Sequence, residues 1–207
     1  MRGGIIAGAA LLVALAGCSG GGGDDEETDL IGPDRSYAKA VQIGEEQSNE
    51  ISGILDAEDY TAWVDMPASG NGTYRGVIAG WAMAGEPIDY VADLELRVNF
   101  DDAAVRGTVQ NMVTDHASDF EHPEGTVRLT GYLTPDEFDT GIMVIGGSGT
   151  LETAGAAATV VVDGAGDFVG TDGRGILGAH ETDFVWTRGS WAGTTSFSDG
   201  VFSAERE

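Results

Sequence analysis

Cysteine, positive charge and long apolar runs are all scarce in this sequence. Cys18 is the only cysteine among 207 residues, so no internal disulfide can form. Lys39 is the only lysine, and the other basic residues are arginines. Thirty-five acidic residues face ten basic ones, for a net charge of −25. Such a surface repels nucleic acid and anionic lipid headgroups, because its few cations are too outnumbered to neutralise phosphates. It leaves a solvated acidic exterior, with a cationic partner as the alternative. No apolar stretch is long enough to span a bilayer as a helix. No G-X-Y period exists, which excludes collagen.

What is present is glycine, with 33 residues, and 42% hydrophobic content, enough to fill a core. Most glycines are scattered at turn-like spacing, which favours many short strands. Period-two alternation confirms this from about Leu55 onward. Tyr90, Ala92, Leu94, Leu96, Val98 and Phe100 share one face. Asp93, Glu95, Arg97 and Asn99 share the other, wet face. Val127, Leu129 and Leu133 alternate with Arg128, Thr130 and Tyr132, and Tyr60–Met66 alternates in the same way. Further strands are expected near 73–83, 105–113, 141–152, 157–163, 176–187 and 200–205. Asp163-Gly164, after a valine run, reads as a hairpin turn. Eight or nine strands suit an all-β fold, a single small closed antiparallel barrel filled with side chains. Charged outward faces exclude a membrane-spanning barrel. The four tryptophans, Trp63, Trp81, Trp186 and Trp191, are expected as barrel filling or rim anchors, with an aromatic ligand platform as the alternative.

Three segments follow. Residues 1–17 carry Arg2 and a short apolar core, then Leu15-Ala16-Gly17-Cys18, and read as a secretory signal. That tetrad resembles the bacterial lipoprotein signal. The resemblance implies acylation at Cys18 and a membrane anchor, and Ser19 after it implies the outer membrane. Residues 18–50, with Gly20 to Gly23 and Asp24-Asp25-Glu26-Glu27, read as a flexible acidic tether. Within it, Tyr37 to Ile54 fits either a short helical turn or an edge strand. Residues 51–207 form the barrel.

The segment Gly166-Asp167-Phe168-Val169-Gly170, followed by Ile176-Leu177-Gly178, resembles the G-x-F-[YV]-G signature of the transferrin-binding protein B barrel family. The closing Asp199-Gly200-Val201-Phe202 fits the same pattern, whereas Gly178 followed by Ala179-His180 departs from its paired glycines. The resemblance implies a surface-exposed eight-stranded barrel used for capture or adhesion. Transferrin binding is not carried over, and neither is any contact residue.

The densest polar cluster is Asp115 to His122. His116, Asp119 and His122 could share a cation or supply a haem ligand, but their spacing matches no helix-borne zinc motif. Pro123-Glu124-Gly125 marks a loop there. Gly189-Ser190-Trp191-Ala192-Gly193 has the wrong spacing for a nucleophile elbow. Gly146-Gly147-Ser148-Gly149-Thr150 lacks the lysine of a phosphate loop. The expectation is a monomeric, non-enzymatic protein without a cofactor, binding a protein, haem or another nutrient. A structural coat protein is the alternative, and a lipocalin-like carrier is a third reading. The first predicts an exposed apolar patch, the second a uniformly acidic exterior, the third an empty apolar interior.

Overall fold

A computed structural model describes residues 30–33, 35–83, 87–115 and 120–207. Among these residues are one helix, α1 (Tyr37–Glu58), a single 3-10 turn at Trp63–Asp65, and nine strands. These are β1 (Asn71–Met83), β2 (Pro87–Asn99), β3 (Ala104–Thr114), β4 (Glu124–Gly125), β5 (Val127–Pro135), β6 (Gly141–Glu152), β7 (Ala157–Val169), β8 (Gly175–Arg188) and β9 (Thr195–Arg206). Neighbours pair antiparallel in the order β1-β2-β3-β5-β6-β7-β8-β9, and β9 returns to β1. The result is a closed up-and-down barrel of eight strands, with β4 as a two-residue addition on β6. Closure removes free sheet edges, which suits an exposed β protein.

Eight strands enclose only enough space for their own side chains. Tyr74, Leu94, Leu96, Leu129, Met143, Phe168, Phe202 and Trp186 fill it and are almost fully buried. One end is closed by Phe120, which meets Trp186 edge-on at 4.8 Å, with Trp191 4.7 Å from Trp186 on another side. The other end is closed by Tyr74 against Phe168 and by Trp63 and Met66 from the crossing segment. Trp63, Trp186 and Trp191 therefore fill the barrel as expected, while Trp81 stands outside it.

The structure differs from the sequence reading in four places. Asp163-Gly164 is not a turn. It lies inside β7, paired with Glu181 and His180 of β8. The chain reverses instead at Gly170 to Gly173, where φ values of 77° and 65° need glycine. Tyr60–Met66 is not a strand. Tyr60 and Ala62 make single bridges to Val169 and Thr140, and the chain then coils through the 3-10 turn. That path carries it across the barrel mouth, so Trp63 and Met66 turn inward while Val64 faces solvent. Tyr37–Glu58 is a 22-residue helix, so residues 37–50 lie on the barrel wall where a tether was expected. Asp93 lies on the outer face, yet it is buried beneath residues 31 and 32.

The helix follows from its apolar spacing. Tyr37, Ala40, Val41 and Gly44 make one stripe, and Ile51, Ile54 and Leu55 make a second, at i, i+3 and i+4 intervals. The first packs on Val77, Val91 and Val113, and the second on Val169 and Leu177. A polar run, Glu45 to Glu50, separates them. At the end of α1, the Glu58 carboxylate accepts hydrogen bonds from the Thr171 amide at 2.8 Å and hydroxyl at 2.9 Å. These bonds hold its pKa below the usual range.

Candidate functional site

Three regions carry polar or exposed groups that packing alone does not explain. The first is a buried polar seam inside the barrel. His180, Thr182, Ser196, Ser198 and Tyr90 project inward from β8, β9 and β2. The ring nitrogens of His180 lie 3.0 Å from the Thr182 hydroxyl and 3.1 Å from the Ala79 carbonyl. A carbonyl can only accept, so Nε2 carries the proton and Nδ1 accepts from Thr182. Burial dominates and pushes the imidazole down to about 4, against smaller opposing effects from Ala79 and Asp199. Tyr90 shares a 3.0 Å hydrogen bond with Ser198, and Trp186 Nε1 donates to Ser196 at 2.9 Å. Gly200 makes the room, since a Cβ there would stand 2.3 Å from His180 Nε2. The seam is a closed set of satisfied groups with no space for a ligand. Sequence reading did not single out His180.

The second region is where residues 30–32 meet the barrel. The buried Asp93 carboxylate accepts from the Ile31 amide at 2.7 Å, the Gly32 amide at 3.2 Å and Asn111 Nδ2 at 2.8 Å. A bulge in β3 and the positive φ of Asn111, 52°, aim that amide at the carboxylate. Three donors satisfy a buried charge and pin residues 31 and 32 to the barrel wall.

The third region is the outer face of β1, β9 and β8 near the end closed by Trp186. Trp81, Met83, Phe197 and Val201 are 48%, 47%, 70% and 56% exposed. The strand register makes them neighbours. Val201 pairs with Ala79, Asp199 with Trp81, and Ser198 with Ala82. Phe197 therefore stands next to Met83 across the same strand pair. Between Phe197 and Val201 lies Asp199, which begins an acidic row across the strands. Asp199 opposes Glu181, and Glu181 opposes Asp163.

Two surface depressions lie elsewhere among the described residues. A crevice of about 20 Å³ lies beside Leu30, Arg75 and Asp93. An open groove of about 540 Å³ runs under the crossing segment between Glu58, Tyr60, Val64 and Asp172. Both lie outside the barrel.

Of the residues that sequence reading proposed as sites, His122 is at the surface, with Nε2 3.9 Å from Glu121. Cys18, His116 and Asp119 lie outside the described residues. Among the described residues, no group of three or more histidine, cysteine or acidic side chains is arranged to hold a metal. No described helix is long and apolar enough to cross a membrane.

No protein family's sequence model matches the chain, and no curated protein matches it significantly. Solved structures resemble it in outline. A double mutant of transferrin-binding protein B from Haemophilus parasuis Hp5 aligns at TM-score 0.42 and 17% identity, and a single mutant of it at 0.41 and 20%. An intact Ap-TbpB with N and C lobes aligns at 0.41 and 16%. Each alignment covers 71% of this chain and 28% of the other. The barrel assignment rests on the strand pairings themselves.

Proposed function

We propose that this chain is a lipid-anchored outer-membrane protein, exposed at the cell surface, whose barrel is a non-catalytic capture module. On this reading residues 1–17 are a removed signal, Cys18 carries the acyl chains, and residues 19–29 hold the barrel off the membrane. Two or more acyl chains give stable anchoring where one gives reversible binding. The barrel binds a protein on its outer wall.

One observation carries the choice of binding surface. The interior is packed with large side chains, while Trp81, Met83, Phe197 and Val201 stand exposed together on the wall. A carrier of haem or another small nutrient needs an apolar cavity open to it. A coat protein without a ligand has no use for an apolar patch in an acidic exterior. The patch therefore favours capture of a protein over both alternatives.

The test uses intact cells expressing the full chain, treated with external protease with and without permeabilisation. The barrel is expected to be degraded without permeabilisation. Cys18→Ala is expected to abolish labelling by a fatty-acid precursor and to release the protein from the membrane fraction. Protection of the barrel until permeabilisation would overturn the surface reading.

A further inference from the structure

The outer face of β1, β9 and β8 carries an arrangement that works against the barrel's own stability. Asp199, Glu181 and Asp163 lie in direct register on three adjacent strands. Opposed residues on neighbouring strands have Cβ atoms about 4.5–5.5 Å apart, and like charges so placed are destabilising. All three carboxylates are exposed. Several arginines elsewhere on the barrel are placed against acids. Arg75 lies 3.0 Å from Glu207, and Arg174 lies 3.0 Å from Glu205. The acidic row receives no such partner among the described residues.

Large apolar groups flank the row. Trp81 continues it on β1, opposite Asp199. Phe197 sits two residues before Asp199 and Val201 two residues after, on the same face of β9. An aromatic ring beside a carboxylate can stack on a guanidinium while the carboxylate accepts its hydrogen bonds. Along β9 the wall thus alternates apolar, acidic and apolar residues, and Asp183 of β8 adds a further carboxylate opposite Phe197.

We infer that this face is the docking surface for a protein partner that presents an apolar side chain flanked by arginine or lysine. The inference rests on the reading of the barrel as a capture module and names the chemistry of what is captured. Charge complementarity selects the occupant. A second copy would bring the same acidic row against its own, in a chain of net charge −25. Anionic lipid and nucleic acid are repelled for the same reason. A basic, apolar partner relieves the carboxylate repulsion as it binds and covers the exposed rings.

The experiment titrates the full chain with a fluorescent synthetic amphipathic peptide, Leu and Trp on one face and Arg on the other. Oligoarginine of equal charge is the comparator, at about physiological salt so that diffuse attraction is screened. The amphipathic peptide is expected to bind more tightly than oligoarginine. Phe197→Ser and Glu181→Lys are each expected to weaken it about tenfold or more, as loss of a central apolar anchor or a charge contact does. Asp56→Lys, on exposed α1, is expected to leave it unchanged.

A second readout separates binding from folding. Glu181→Lys replaces two repulsions with two attractions, so the melting temperature is expected to rise by about 1–2 °C while affinity falls. A fall in both would mean that the row serves the fold, and would overturn the inference. Equal losses in Glu181→Lys and Asp56→Lys, or indifference to Phe197→Ser, would reduce binding to diffuse charge and overturn it too. So would a dimer in sedimentation that Phe197→Ser dissolves, since the occupant would then be a second copy. Protease protection on cells would remove the surface location and leave the peptide result standing, so the two readings fail separately.

Discussion

At the scale of single residues, His180 shows how a closed barrel makes its own acid sensitivity. The unfolded imidazole titrates near 6.5 and the folded one near about 4, because burial disfavours the cation. Between those values the unfolded chain binds more protons than the folded chain. Stability is therefore complete above the unfolded value and declines as pH falls toward 4. The gap corresponds to roughly 3 kcal/mol for a residue as deeply buried as this. His180→Gln keeps a polar side chain and removes the titration. In urea unfolding at several pH values, the wild-type loss between pH 6.5 and 4 is expected to flatten in the variant. Asp89 and Asp167 act in the opposite sense, since burial, then Asp115 and Asp136 respectively, raise their pKa values. Their contribution is common to both proteins and cancels in the comparison. Gly200 tests the same neighbourhood sterically. A methyl there meets His180 Nε2 at 2.3 Å and the Ala79 carbonyl at 2.2 Å. Because one obstacle is backbone, Gly200→Ala is expected to cost about 3 kcal/mol or more, seen as a lowered urea midpoint.

At the scale of elements, α1 is held at both ends and free in its polar middle. Ile51 and Ile54 are buried against Val169, while Glu45 to Glu50 face solvent or lie half-exposed. Ile51→Ala is expected to destabilise by about 2–4 kcal/mol, the range for emptying a buried isoleucine site. If α1 and the barrel unfold as one unit, the loss appears in the global urea transition. If the C-terminal half of α1 opens first, hydrogen exchange accelerates in residues 51–58 and leaves β1 to β9 protected. Asp93→Asn removes the charge that holds the Ile31 and Gly32 amides, and exchange of those two amides is expected to quicken selectively. These elements also mark what could be read in advance. Strands β2 and β5 were legible because each alternates apolar and polar residues over a half-buried length. Helix α1 was not, because Gly44, Gly53 and the run Glu45 to Glu50 break its stripe in two. Asp163-Gly164 looked like a turn because local chemistry cannot see that His180 lies across the next strand. Asp93 looked wet because its alternation is correct and only residues distant in sequence cover it. The exposed face of Trp81 and Phe197 was equally hidden, since a tryptophan inside and one outside look alike until register is known.

At the scale of the whole molecule, a filled barrel and a large negative charge together limit what could bind it. Haem entry into the barrel would require an open interior and a free His180 imidazole. Phe120, Trp186 and Trp191 close one end, and Tyr74, Phe168, Trp63 and Met66 close the other. Both nitrogens of His180 are engaged. Titration of the full chain with haem is therefore expected to give no saturable Soret shift that His180→Gln removes; such a shift would mean that the barrel opens. Charge acts more broadly. Thirty-five acids against ten bases repel one another across a small surface, and part of that repulsion lies in the register of Asp163, Glu181 and Asp199. Screening shortens the reach of each charge to about 10 Å at 0.1 M salt and about 3 Å at 1 M. Added sodium chloride is thus expected to raise the melting temperature steadily, in contrast to a protein held by surface ion pairs. The rise should be smaller in Glu181→Lys, because two of the closest repulsions are already gone. A melting temperature indifferent to salt in both proteins would mean that the acidic residues are far enough apart to ignore one another, and the register of the acidic row would then carry no energetic weight.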